Sequence, residues 1–219
     1  KKNFMIFFDY GSERRRILDK LLFQSKNYIK GNVIDIGGIK KNPRGSFSNK
    51  DCTFSTWQYL NNNASSKPDI LADANNLPLK DCSIDTVLML ELLEYVEDIK
   101  QVLKESSRIL KINSYMIISI PLIHSIHGDA DIDKMRYTES FLKRIFKSYN
   151  LELVKFIRMG GTSSVIYDLL RTSFHLNGSS FLSRLLLFFS FLFRFLDRFS
   201  SKSKLYINTG YFIILKKID

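Results

Sequence analysis

Cysteine is scarce in this chain: Cys52 and Cys82 are the only two among 219 residues. Two are too few for a disulfide framework and point to a reducing compartment, with a single Cys52–Cys82 pairing as the alternative. Acidic residues are also in deficit, 22 against 33 basic ones, so the net charge is +11. No internal repeat is visible. No G-x-x-x-x-G-K-S/T phosphate loop occurs, and no serine stands in a Ser-His-Asp setting that would suit hydrolysis. Near the start, "KKNFMIFFDYG" has an apolar run broken at Asp9, too short for the core of a signal peptide. The stretch Phe181 to Phe199 is mostly Leu and Phe but holds Arg184, Arg194, Asp197 and Arg198. A membrane span needs about 20 mostly apolar residues, so these charges argue against one.

The rest of the composition is that of a globular protein, with 45% hydrophobic and 25% charged residues. The length suits one domain with a real core, and residues 1–219 read as such. The basic excess lies at the ends. Residues 31–150 hold 15 basic and 15 acidic residues, residues 1–30 hold 8 and 3, and residues 151–219 hold 10 and 4. That placement favours an anionic partner: a membrane surface, a phosphorylated carrier or nucleic acid. Plain solubility is the bland alternative.

Hydrophobic periodicity predicts an N-terminal amphipathic helix over 12–30, ending near Gly31. "NVIDIGG" reads as a buried strand, and "CTFSTWQYL", "IDTVLML" and "YMIISIP" as three more. Asp98 and Thr138 each open a predicted helix. "LELVKFIRM" and "YFIILKKI" are late strands. Strands alternating with helices predict an α/β domain with a mostly parallel sheet flanked by helices. Ligands of such sheets bind outside the C-terminal strand ends. Residues 160–204 break the alternation and are predicted to form an apolar helical insertion before the last strand. Read as one helix, Phe181–Phe199 gathers its polar residues, Ser183 to Arg198, into an arc of about 140°. The wide apolar face beside them suits an anionic membrane surface, a second subunit or the chain's own core.

The turn "VIDIGG" places Asp35 two residues before Gly37 and three before Gly38. Glycines there let backbone approach a ligand, and the acid can hold amines or hydroxyls. Strand-end capping is the bland alternative for Asp35. Further on, Asp73, Leu77-Pro78, Ile84-Asp85, Leu93-Glu94 and Arg108-Ile109-Leu110-Lys111 follow in order. With them the chain resembles class I S-adenosylmethionine-dependent methyltransferases of the small-molecule and glycan type. Pro121, His127, Asp133, Arg136, Tyr137 and Thr138 resemble a segment of members found among surface-polysaccharide genes. The resemblance covers about residues 30–155 and implies a Rossmann-like methyltransferase fold with S-adenosyl-L-methionine as cofactor. It implies that Asp35, Gly37 and Gly38 form the cofactor turn, and that Asp73 and Ala74 sit by the adenine. Leu90 and Glu91 would line the methionine side. A turn cap is the alternative for Asp73.

The departures are specific. The acid expected at the end of the second strand falls to Gln58, or to Asn61 if the register slips. The histidine of the family's Leu-Glu-His element is Tyr95, and its Lys-Pro-Gly-Gly turn is "KINS". A domain that has lost catalysis and serves as an interaction or membrane-surface module is therefore the alternative function. The Asn/Asp-Pro-Pro-aromatic element of nucleic-acid amino methylators is missing, which counts against a nucleic-acid partner. Methyl transfer is an in-line displacement in which the protein mostly positions and desolvates the reactants. An oxygen acceptor also needs its proton removed. His127 is the candidate for that step, with His124, Asp133, Arg136 and Tyr137 around a small-molecule or glycan acceptor. His124, His127 and Asp129 have metal-ligand chemistry but unspecific spacing, and no metal site is assigned. The expected location is cytoplasmic, including the inner membrane face.

Overall fold

The structure, a computed structural model, describes residues 12–40, 45–126, 132–176, 178–200 and 207–219. Helix α1, Glu13–Gln24, starts at Ser12, whose hydroxyl accepts the Arg15 amide N–H. It buries Leu18 and Leu22. The helix expected over 12–30 thus stops early, at Ser25. A short 3-10 turn, Lys26–Tyr28, follows, and Gly31 then takes φ +68° against Asp85, where a Cβ has no room. Only a glycine makes that bend cheaply, so the chain leaves the helix before it.

The strands are β1 Asn32–Ile36, β2 Thr56–Asn61, β3 Ile70–Leu71, β4 Ile84–Leu90, β5 Leu110–Pro121, β6 Leu151–Met159 and β7 Gly210–Lys217. They form one sheet in the order β3-β2-β1-β4-β5-β7-β6, with β7 antiparallel to both its neighbours and the other pairs parallel. Strand β2 starts later than "CTFSTWQYL" suggested and runs on to Asn61. Strand β5 extends back through "KINS", where Asn113 takes φ 64°. Asparagine tolerates that left-handed conformation better than other non-glycine residues.

Helix α2, Ile99–Ile109, is capped by Asp98, which accepts the amides of Lys100 and Gln101. Helix α3, Glu139–Lys147, starts at Thr138 as expected. Alternation along the strands splits the core between the two sheet faces. Val87 and Met89 pack with Val102, Leu103, Leu142 and Phe146 on the face covered by α2 and α3. Val33 and Leu88 pack with Leu18 and Leu22 of α1 on the other.

Between β6 and β7 stand three helices: α4 Thr162–Leu176, α5 Ser180–Phe188 and α6 Ser190–Ser200. The single helix expected over Phe181–Phe199 is therefore two. Phe189 ends the first, and the Leu192 N–H then returns to the Phe189 carbonyl at 2.9 Å. The break lets α5 and α6 both pack on α4. It also brings Asp197 to the start of α4, where it accepts the amides of Gly161, Ser163 and Ser164. Those N–H groups would otherwise be orphaned at a helix start.

Candidate cofactor cleft and acceptor side

A cleft of about 490 Å³ opens at the C-terminal ends of β1, β2 and β4. Its floor is Asp35, Tyr59 and Leu90, its walls are Arg15 and Leu22 of α1, and its rim is the turn Gly37–Lys40 with the loop Phe47–Lys50. Among the described residues of the β1–β2 crossover only a 3-10 turn over Asn49–Asp51, and no α-helix, follows the glycine turn. The loop after it hangs on α1 instead: the buried Asp19 carboxylate accepts the Ser46 N–H and hydroxyl and pairs with Arg15.

The glycines do what the turn requires. Gly37 takes φ +83°, and a Cβ there would meet Leu92 at 2.9 Å. Its N–H donates to the Leu60 carbonyl at 2.8 Å, stitching the turn to β2. At Gly38 a Cβ would lie 2.5 Å from the Asp35 carboxyl. The half-buried Asp35 carboxyl receives no hydrogen bond among the described residues. Burial pushes its pKa up to about 7, against a downward pull from Arg15. An unpartnered acid facing a bare backbone turn is suited to a ligand carrying a cationic or N–H group. The residues thus fit the methionine end of S-adenosylmethionine.

Other expected residues are placed differently. Gln58 pairs with Ile34 in mid-strand and is not among the cleft residues. Tyr59, in register with Asp35, faces the cleft in its stead. Asn61 is the residue at the strand end, and its side-chain amide donates to the Gly38 carbonyl at 3.3 Å. Asp73 lies beyond β3 and accepts the Asn75 amide N–H at 2.8 Å, so it closes a turn. Ala74 packs on the core. Leu90 lines the cleft, but the buried Glu91 does not. Glu91 has φ 56°, pairs with Arg14 of α1 and accepts the Ser119 hydroxyl at 2.8 Å. A non-glycine residue in this conformation stores strain at the strand-to-loop switch.

On the acceptor side, the loop after β5 docks on the segment after β4. Lys134 and Met135 amides both donate to the Glu94 carbonyl at 3.0 Å. The Tyr137 hydroxyl reaches the Leu93 carbonyl at 3.4 Å. Arg136 forks onto the buried Asp133 carboxylate, with one arm at 2.7 Å. Arg136 therefore orders this loop. The His124 ring is half-buried, with Nδ1 2.9 Å from the Ser125 carbonyl. His127 and Asp129 lie outside the described residues.

One carboxyl in this region stands apart from the residues chosen on sequence. Glu94 is fully buried, and neither of its oxygens meets a donor from another of the described residues. Burial raises its pKa to about 7, with Arg14 and Arg136 pulling it down and Asp133 pushing it up. The signal for it was present: an acid among Leu92, Leu93, Tyr95 and Val96 directly after a core strand.

Residues 51–118 match the family model described as a methyltransferase domain. No curated protein matches the chain as a relative. Among solved structures, the chain resembles geranyl diphosphate C-methyltransferase from Streptomyces coelicolor A3(2), solved with Mg2+, geranyl diphosphate and S-adenosyl-L-homocysteine. The TM-score is 0.58 at 12% identity, over 92% of this chain and 77% of that one. It also resembles phosphoethanolamine N-methyltransferase 2 from Haemonchus contortus, solved with S-adenosyl-L-methionine. There the TM-score is 0.57 at 13% identity, over 92% of this chain and 52% of that one. A third likeness is to the 4+2 cyclase SpnF, with a TM-score of 0.54 at 11% identity, over 91% and 81%. The chain thus has the fold of these methyltransferases, and residues 51–118 match a methyltransferase domain.

Proposed function

We propose that this protein transfers a methyl group from S-adenosylmethionine to a small molecule, and that the acceptor is a sugar or lipid-linked glycan handled on the cytoplasmic side. The observation that carries the cofactor part is the unpartnered Asp35 carboxyl against the Gly37–Gly38 turn. Bound there, the cofactor supplies an electrophilic methyl carbon. Asp35 holds its cationic end, and Leu90 and Tyr59 exclude water from it. The acceptor part rests on the resemblance around His127, Asp133, Arg136 and Tyr137. His127 is the proposed proton acceptor.

The test is calorimetric titration with S-adenosylmethionine and S-adenosylhomocysteine. Binding of either, lost in Asp35→Ala, is the expected result. No binding of either at millimolar concentration would sink the proposal. A second reading, a non-catalytic module of the same fold, is favoured by the neutral Asn61 where a carboxylate would bind hydroxyls more strongly. Turnover of the cofactor with any glycan acceptor would exclude it.

A further inference from the structure

We propose that α5 and α6 dock this protein on an anionic lipid bilayer, with the edge of the sheet that bears the cleft beside the lipid. The proposal goes beyond methyl transfer and does not depend on it.

Helix α6 is amphipathic the wrong way round for a soluble surface. Phe191, Leu192, Phe195, Leu196 and Phe199 recur at helical spacing and are all exposed, Phe191 by 60% and Phe199 by 65%. Two of its polar residues turn inward: Arg194 donates to Glu13 of α1 at 2.7 Å, and Asp197 caps α4. An ordinary surface helix buries its apolar stripe and exposes its charges. Helix α5 continues the pattern, with Phe181 73% exposed. Half of the exposed large apolar side chains in the described residues lie on α4, α5 and α6. An apolar surface of this kind marks an interaction site.

Charge selects the occupant. Residues 160–204 hold six basic residues and two acids, Asp168 and Asp197. Both acids point into the protein: Asp168 accepts the Glu13 and Arg14 amides, and Asp197 those of Gly161, Ser163 and Ser164. The segment thus carries a net charge of +4. A two-fold second copy would set that net charge against itself, whereas anionic lipid attracts it. Among the described residues no helix is long and apolar enough to cross a membrane, which leaves an interfacial pose.

The insertion leaves the sheet after the C-terminal end of β6 and returns at β7, on the cleft's edge. Ser125 of the acceptor-side loop donates to Thr172 of α4 at 3.3 Å. A bilayer against α5 and α6 therefore neighbours the acceptor side.

The test is co-sedimentation of the full chain with vesicles, without cofactor or acceptor. Three forms are compared: wild type, the double variant Phe191→Ser with Phe195→Ser, and Leu153→Ser on β6 as a control. Thermal unfolding verifies that each is folded. Wild type and the control should bind phosphatidylglycerol-containing vesicles, and the double variant should partition at least about tenfold less. Binding should weaken as salt rises from roughly 0.1 to 0.5 M. Equal binding to neutral phosphatidylcholine vesicles would overturn the charge argument. No vesicle binding, with a dimer in solution that the double variant abolishes, would assign the face to a second copy instead. No vesicle binding by a monomer would overturn the proposal outright.

Discussion

Asp35 shows how one residue's environment turns into measurable behaviour. Its folded pKa, about 7, lies above the value near 4 of an unfolded chain. The fold therefore binds more protons than the unfolded chain between those values, and stability falls as pH rises through that window. Asp35→Asn keeps the neutral form at every pH. It should be more stable than wild type above about pH 7, by on the order of 2–4 kcal/mol, and equal to it near pH 4. Urea unfolding across pH measures the difference; a constant difference would refute the assignment. A cationic ligand beside Asp35 should also release protons on binding near pH 7, which calorimetry in two buffers of different ionisation enthalpy detects. The Asp-Ile-Gly-Gly turn was legible because a strand, an acid and two glycines are local signals. The residue at the end of β2 was not. Pairing register is a tertiary property, and alternation sends Tyr59, not Gln58, to the cleft.

At the scale of elements, the joint between α1 and α4 carries the most. Asp168 accepts the Glu13 and Arg14 amides at 2.7 and 3.1 Å and is 2% exposed. Asp168→Ala would strip two N–H groups of their acceptor and the buried Arg14 of one of the acids around it. The expected loss is about 2–4 kcal/mol in urea unfolding, and a loss below about 0.5 kcal/mol would show that the joint is not stabilising. Strands β1 and β4 to β7 were readable as apolar runs, and α2 and α3 as capped amphipathic stretches. The break at Phe189 was not readable. Nothing in a Leu/Phe run says where a helix turns back; the partners of Asp197 and Arg194, far away in sequence, decide it.

For the whole molecule, alternation of strands and helices was enough to anticipate a mostly parallel sheet. The antiparallel β7 between β5 and β6 came from pairing, which composition does not encode. A ligand that binds only the folded state raises its unfolding temperature. S-adenosylhomocysteine at about 100 times its Kd should add about 2.7 kcal/mol, a rise of roughly 5–10 °C for a chain of this size. Scanning calorimetry without any rise at saturating ligand would contradict the cleft assignment.

Helix α1 is held at its start by the insertion, through Asp168 and Arg194, and in its middle by the cleft's rim, through Asp19 and Ser46. It is a rigid lever twelve residues long, gripped by two parts of the molecule. If its tilt differs between the free and surface-bound states, the two binding events are thermodynamically linked, and the linkage is reciprocal. Whatever factor vesicles impose on cofactor affinity, the cofactor must impose on vesicle affinity. Titrating each in the presence of the other measures that factor, and a value of one would show a lever that does not move.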